Sequence, residues 1–130
     1  MTKIFLDTDI ATDSDDAVCL AYLLLRDDCE LLGISTCGPD ATLRAAVVKR
    51  LCQELGQSEI PVAAGCDKPF LPNPFWYDHQ VNQHVILEEQ PERTSSNPLE
   101  AIQLMGKCIR EHPHEVILLT VGPLSNAGLL

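Results

Sequence analysis

Short segments that are apolar throughout recur along the chain, and segments with helical periodicity separate them. The apolar segments predict β-strands at residues 4–6, 30–36, 60–64 and 116–121. The spacing of apolar positions between them predicts helices at residues 15–25, 42–55 and 98–111, and a further helix after the turn at residues 122–126. Strands without polar alternation are typical of a parallel sheet that is buried on both faces. The pattern therefore predicts an α/β fold, a Rossmann-like, mostly parallel sheet with helices on both faces.

The domain organisation predicted from this pattern is a single unit over residues 1–130. Within it, residues 65–97 lack periodicity, are rich in proline and contain the only tryptophan, which predicts a long loop of the kind that often acts as a lid. The sequence ends a few residues into its last predicted helix, where an apolar edge strand would be left uncovered. We therefore expect a truncated fold, the N-terminal part of a longer domain.

Charge and composition restrict the classes of partner. Nine Lys and Arg against 19 Asp and Glu give a net charge of −10, which argues against nucleic acid and anionic membranes because both require a basic surface. An uncharged small molecule such as a nucleoside is compatible with this charge. The uncovered strand edge leaves self-association as a homo-oligomer open.

Targeting signals and cysteine spacing indicate the compartment. Charged residues come too early in the chain for a signal peptide, and no apolar run approaches membrane-spanning length. The six cysteines are scattered without a CxxC pair, and several lie in apolar runs, where a free cysteine behaves as a small hydrophobic residue. These features predict a reduced, cytoplasmic protein.

The candidate chemistry lies in an acidic loop that directly follows the first predicted strand. Open parallel sheets bind ligands at the carboxyl ends of their strands. Carboxylates held close together repel one another, and a hard cation with oxygen ligands, Ca²⁺ or Mg²⁺, would neutralise them. The alternative is a solvated loop whose last two acids favour the start of a helix. The loop contains five carboxylates within ten residues: Asp7, Asp9, Asp13, Asp15 and Asp16.

Two metal-dependent alternatives fit the loop less well. An EF-hand counted from Asp7 fails, because Thr12 and Val18 stand where that loop needs glycine and glutamate. A haloacid-dehalogenase-type phosphatase would use Asp7 as nucleophile and Asp9 as acid/base. A phosphatase of this type would have Thr or Val in place of Ala11. It would also need a later lysine and a pair of aspartates, and the sequence contains no good match to that motif.

The loop resembles the signature of the inosine-uridine-preferring nucleoside hydrolase family, in which a strand ends in D-x-D and D-D-A opens a helix. The resemblance runs through DTDIATDSDDA, GISTCGPDATLRAA, IPVAAG and VILLTVGPLSNAGLL, and it spans nearly the whole chain. It implies hydrolysis of the N-glycosidic bond of a ribonucleoside to ribose and free base, with Ca²⁺ as cofactor.

The resemblance also implies residue roles. Asp9 would bind Ca²⁺ and act as general base on the attacking water, Asp16 would be a second carboxylate ligand, and Asp7 would support the site. The remaining implied roles are a calcium ligand in the carbonyl of Val121, ribose contacts by Asp15 and Asp40, and a nucleoside contact by His79 in the long loop.

Two departures from the family pattern carry expectations of their own. Ala11 stands where the family usually has a loop glycine, so a turn with positive φ would be strained there. The family's last calcium-binding aspartate and its leaving-group histidine are expected beyond residue 130, so the chain alone is expected to be inactive. A non-catalytic, degenerate fragment is therefore the remaining alternative.

Overall fold

The four strands form one parallel sheet. The structure is a computed structural model that describes residues 1–71, 80–89 and 96–130. The strands are hydrogen-bonded in the order β3-β2-β1-β4, and every pair is parallel, so the predicted parallel sheet is confirmed. The strands are β1 (Thr2–Thr8), β2 (Cys29–Thr36), β3 (Val62–Ala64) and β4 (Val116–Thr120).

The helices begin and end within one or two residues of the predicted bounds. Asp15 and Asp16 lie in the first turn of the first helix, where carboxylates favour the helix dipole, and Gly56 follows the second with φ of +70°. The helices are α1 (Asp15–Leu24), α2 (Ala41–Glu54), α3 (Pro98–Glu111) and α4 (Ser125–Leu129), with a 3₁₀ helix at Gln83–Ile86.

Helices cover both faces of the sheet. Successive side chains of β1 point to opposite sides, so its apolar residues need a packing partner on each face. Ile4 and Leu6 pack with residues of α1 and α2, whereas Phe5 packs with Met105 and Cys108 of α3 on the other face. All three β1 side chains are buried. The continuously apolar strand is thus explained by two separate cores.

The pairing register brings the carboxyl ends of the strands to one level. Asp7 pairs with Ser35 of β2 and Thr120 of β4, and Thr8 pairs with Thr36. The register shifts near Phe5, beside which Gly33 lies so close that a Cβ there would be 2.9 Å from the Phe5 ring. The polar residues that end β1 and β2 therefore lie side by side at the carboxyl edge of the sheet.

The predicted long loop is anchored at both of its ends. Asp67 accepts hydrogen bonds from the backbone N–H of Ala41 at 2.9 Å and from that of Ser96 at 3.0 Å. One carboxylate thus ties the beginning and end of the segment to the start of α2. Residues 72–79 and 90–95 lie outside the described residues, and the proposed role as a lid stays a prediction.

Two further sequence predictions concern cysteines and membranes. All six cysteines are free thiols in the structure. Over residues 1–71, 80–89 and 96–130, no helix has both the length and the apolar character needed to cross a membrane.

Candidate functional site

The end of β1 places Asp7 in the interior, below the acidic loop. Its side chain is fully buried, and its Oδ1 accepts hydrogen bonds from Ser35 Oγ at 2.5 Å and Asn126 Nδ2 at 2.8 Å. Burial raises the pKa of Asp7, while these two hydrogen bonds oppose that rise. A nucleophile must reach its substrate, so the burial of Asp7 disfavours the phosphatase interpretation and suits the predicted supporting role.

Asp16 opens α1 and lies half-buried beside the end of β1. Thr8 Oγ1 donates a hydrogen bond to Asp16 Oδ1 and accepts one from the backbone N–H of Ile10 at 3.1 Å. Burial raises the pKa of Asp16, the Thr8 hydrogen bond opposes this, and the charges of Asp9 and Asp15 raise it further. This mutual repulsion is the electrostatic condition that a bound cation relieves.

A pocket of about 150 Å³ brings together three of the predicted site residues. It lies between the start of α1 and the end of β4, and it is lined by Asp15, Asp16, Cys19 and Val121. Asp9 lies next to it, since a Cβ on Gly122 would be 3.0 Å from Asp9 Oδ1 and 2.8 Å from Asp9 N. Only glycine permits this approach between the acidic loop and the turn after β4.

The donor atoms at this pocket suit a hard cation in type. The carboxylates of Asp9 and Asp16 and the carbonyl of Val121 are all oxygen ligands, as Ca²⁺ requires. In the part of the chain that the structure describes, no group of three His, Cys, Asp or Glu side chains is placed to hold a metal ion. Ca²⁺ takes six to eight ligands, so the oxygen atoms of these three residues would supply only part of its coordination shell.

The turn of the acidic loop has the backbone conformation expected from the family pattern. Ala11 is fully buried and has φ of +87°, a left-handed conformation that is unfavourable for a residue with a Cβ. Its carbonyl accepts hydrogen bonds from the backbone N–H groups of Asn82 and Gln83 at 2.9 and 3.1 Å. The predicted strain is thus confirmed, and the segment at residues 80–89 holds the turn in place.

Of the two remaining predicted contacts, the structure describes only Asp40, which is not brought to the pocket. Asp40 immediately precedes α2 with φ of +59° and is half-buried, and it is not among the residues that line the pocket. Its charge acts instead on the guanidinium of Arg44. His79 lies outside the described residues, so its predicted nucleoside contact stays a prediction.

Sequence reasoning missed Arg44 and Asn126, two fully buried polar residues of this site. Arg44 lies below the acidic loop, and Asn126 donates to Asp7 and to the carbonyl of Thr36 at 3.0 Å while accepting from the N–H of Cys66. Gly65 permits this, because a Cβ there would be 2.3 Å from the Asn126 amide. The sequence did carry a signal for Arg44, because it is a charged residue among the apolar positions of the predicted helix at residues 42–55.

Comparison with known proteins identifies the family. The sequence profile described as inosine-uridine preferring nucleoside hydrolase matches residues 4–130. The chain belongs to this family. It is similar to the nucleoside hydrolase family member named pyrimidine-specific ribonucleoside hydrolase RihA of Shewanella baltica, with 32% identity over 100% of this chain and 42% of the relative. It is 28% identical to uridine nucleosidase 1 of Arabidopsis thaliana, over 98% of this chain and 39% of that protein.

Solved structures of nucleoside hydrolases share the fold of this chain. An inosine-uridine preferring nucleoside hydrolase from Bacillus anthracis superposes with a TM-score of 0.75 at 22% identity, covering 99% of this chain and 44% of the other. A purine-preferring ribonucleoside hydrolase from Gardnerella vaginalis superposes with a TM-score of 0.71 at 19% identity, covering 97% and 42%. The chain therefore spans about two fifths of the length of these relatives.

Proposed function

We propose that this chain supplies the calcium-binding and water-activating part of a site that hydrolyses the N-glycosidic bond of ribonucleosides. The observation that carries the proposal is the pocket at the carboxyl end of the sheet, where Asp15, Asp16 and Val121 meet beside Asp9. These residues lie within the region matched by the profile of the family. The products would be ribose and the free base.

The chemistry requires a base for water and contacts for the sugar. Cleavage of a glycosidic bond passes through an oxocarbenium-like state that water attacks at the anomeric carbon. Asp9, beside the pocket, would accept the proton of that water, and Asp15 at the pocket wall would accept hydrogen bonds from the ribose hydroxyls. When bound, Ca²⁺ would supply Lewis acidity for the water and orient the ribose diol.

The substrate class follows from the sugar rather than the base. The relatives' names include pyrimidine-specific, uridine-directed and purine-preferring enzymes, so they agree only on a nucleoside. A nucleoside has no phosphate and is compatible with a chain of net charge −10. We therefore propose ribose as the part of the substrate that these residues recognise.

A calorimetric Ca²⁺ titration of the 130-residue chain tests the cation site. We expect saturable binding by the wild type and at least a tenfold weaker affinity for Asp16→Asn, because one charged oxygen ligand is lost. Asp13→Asn is the matched control: Asp13 is an exposed member of the same loop, and its substitution removes the same charge. Its affinity should stay within about twofold of wild type.

The outcomes of this titration separate the alternatives. Failure of the folded wild type to bind Ca²⁺, or equal binding by Asp16→Asn, contradicts the proposed cation site. In a parallel assay of ribose released from inosine and uridine, we expect no turnover by these 130 residues, because the described residues supply only part of the coordination shell. Turnover abolished by Asp9→Asn would overturn the expected inactivity while supporting the assigned base.

A further inference from the structure

Arg44 occupies an unusual position for a charged residue. It lies on α2 with no exposed surface, and on the same side of the helix Ala41 and Val48 are also fully buried. Burying a guanidinium is costly unless its donors are satisfied, and an apolar side chain would stabilise such a position at least as well. The presence of arginine therefore points to a role other than packing.

The guanidinium is directed at the backbone of the acidic loop. Its Nη1 donates hydrogen bonds to the carbonyl oxygens of Asp9 and Ile10, the latter at 2.7 Å, and to Thr12 Oγ1 at 3.0 Å. Its Nε donates to the carbonyl of Pro39 at 2.9 Å. One planar group thus connects the turn before α2 with the loop that carries the predicted cation ligands.

The loop needs this support because its turn is strained. Arg44 holds residues on both sides of Ala11, whose φ is +87°, while the amides of Asn82 and Gln83 hold the carbonyl of Ala11 itself. A backbone in the left-handed region persists only where its surroundings determine it. The hydrogen bonds of Arg44 are some of the contacts that keep the backbone in this conformation.

We propose that Arg44 is a positioning residue, which holds the backbone of residues 9–12 so that the Asp9 carboxylate faces the cation pocket. This inference rests on the proposed function. The inference predicts the direction in which the Ca²⁺ affinity changes when Arg44 is removed. A positive charge near Asp9 would by itself oppose the binding of a cation. Positioning predicts that removing Arg44 weakens Ca²⁺ binding, whereas electrostatics alone predicts that its removal strengthens binding.

Calorimetric Ca²⁺ titration of Arg44→Met and Arg44→Lys distinguishes these effects. We expect at least tenfold weaker affinity for Arg44→Met, and weaker affinity also for Arg44→Lys, because an ammonium keeps the charge but lacks the planar fork. Arg50→Met and Arg50→Lys are the matched controls: Arg50 lies on the same helix but pairs with Glu54 and Glu88 at the surface. Their affinities should stay within about twofold of wild type.

Thermal unfolding of each variant without Ca²⁺ separates positioning from folding. The Ca²⁺ titrations are made well below the melting temperature of every variant. If Arg44→Met does not fold, the affinity of Arg44→Lys tests the inference. Tighter binding by Arg44→Met, or unchanged affinity in folded Arg44→Lys, overturns the inference.

A metal-free measurement keeps this inference distinct from the proposed function. Amide hydrogen exchange at residues 10–13 should be at least tenfold faster in Arg44→Lys than in wild type, with α3 unchanged. Equal exchange in the loop shows that Arg44 does not hold it, whatever the affinity for Ca²⁺. Faster exchange in a chain that binds no Ca²⁺ would contradict the proposed function but support the hold of Arg44 on the loop.

Discussion

The two ends of the sheet differ in where they place polar groups. At the carboxyl end, buried polar side chains form hydrogen bonds with one another, as Asp7 does with Asn126, or with the backbone, as Arg44 does with the carbonyl of Ile10. At the amino end, polar side chains instead form ion pairs at the surface, Lys3 with Glu115 and Arg26 with Asp28. Among the described residues, the buried polar side chains all belong to the carboxyl end: Asp7, Thr8, Ser35, Thr36, Arg44, Ser125 and Asn126.

This difference shows where the fold accepts a cost in stability. A buried polar group loses its hydrogen bonds to water, and only well-placed partners in the protein compensate for the free energy lost. An exposed ion pair contributes little to stability because water screens the attraction between its charges. The carboxyl end is therefore sensitive to the loss of single atoms, and the amino end is not. Substitutions at the two ends should have very different effects on the free energy of unfolding.

The largest expected effect is that of Asn126→Ala. The substitution removes hydrogen bonds to Asp7, the Thr36 carbonyl and the Cys66 amide, all in the interior. Leaving such groups without partners should lower the free energy of unfolding by about 3 kcal/mol, measured by urea denaturation.

Asn97→Ala is the matched control for that experiment. Asn97 caps α3 at the surface by accepting a hydrogen bond from the N–H of Leu99 at 3.3 Å. Its replacement should lower the free energy of unfolding by about 1 kcal/mol. Equal losses in the two variants would show that the Asn126 network contributes no more than one exposed cap.

A smaller effect, of opposite sign, is expected for Asp16→Asn in the absence of Ca²⁺. Burial and the neighbouring carboxylates raise the pKa of Asp16 in the folded chain, so the wild type loses stability as the pH rises through that value. Asparagine does not ionise, and its Oδ1 can still accept from Thr8. The variant should therefore melt at a higher temperature than wild type near neutral pH.

The pH dependence provides the control for this prediction. Below the ordinary pKa of aspartate, about 4, the carboxyl is protonated in both folded and unfolded chains, and the difference in melting temperature should vanish. A difference that does not change with pH would show that the stabilisation does not arise from the charge of Asp16.

The smallest expected effect is that of Lys3→Met at the amino end. It breaks the ion pair with Glu115, whose side chain is 57% exposed. Solvent screening leaves such pairs nearly neutral for stability, so the urea midpoint should match that of wild type at low and high salt. A loss as large as that from Asn126→Ala would remove the contrast between the two ends.

The sequence predicted the elements of the fold because each has a local signal. Helical periodicity, the acids at the start of α1 and the proline at the start of α3 marked the helices to within one or two residues. Apolar runs marked the strands, and their lack of alternation predicted a sheet covered on both faces. The acidic loop was found in the same way, since its residues are adjacent in sequence.

The contacts that hold the loop were not predictable because they join distant residues. Asn126 and Asp7 are 119 positions apart, and Arg44 lies 35 positions from Asp9. Their meeting depends on the strand order and on Gly65 and Gly122 leaving room for close approach. In contrast, the strain at Ala11 was predictable, because it depends on the local backbone.

The strand order has a consequence for how the chain is made. β1 pairs with β4, so one edge of β1 stays uncovered until β4 has been synthesised. At about 5–20 residues per second, the ribosome delivers Asn126 roughly ten seconds after Asp7. Throughout that interval the nascent chain carries the Asp7 carboxylate with its Ser35 donor but without its Asn126 donor, so the hydrogen bonds of this buried group are completed only after residue 126 has been synthesised.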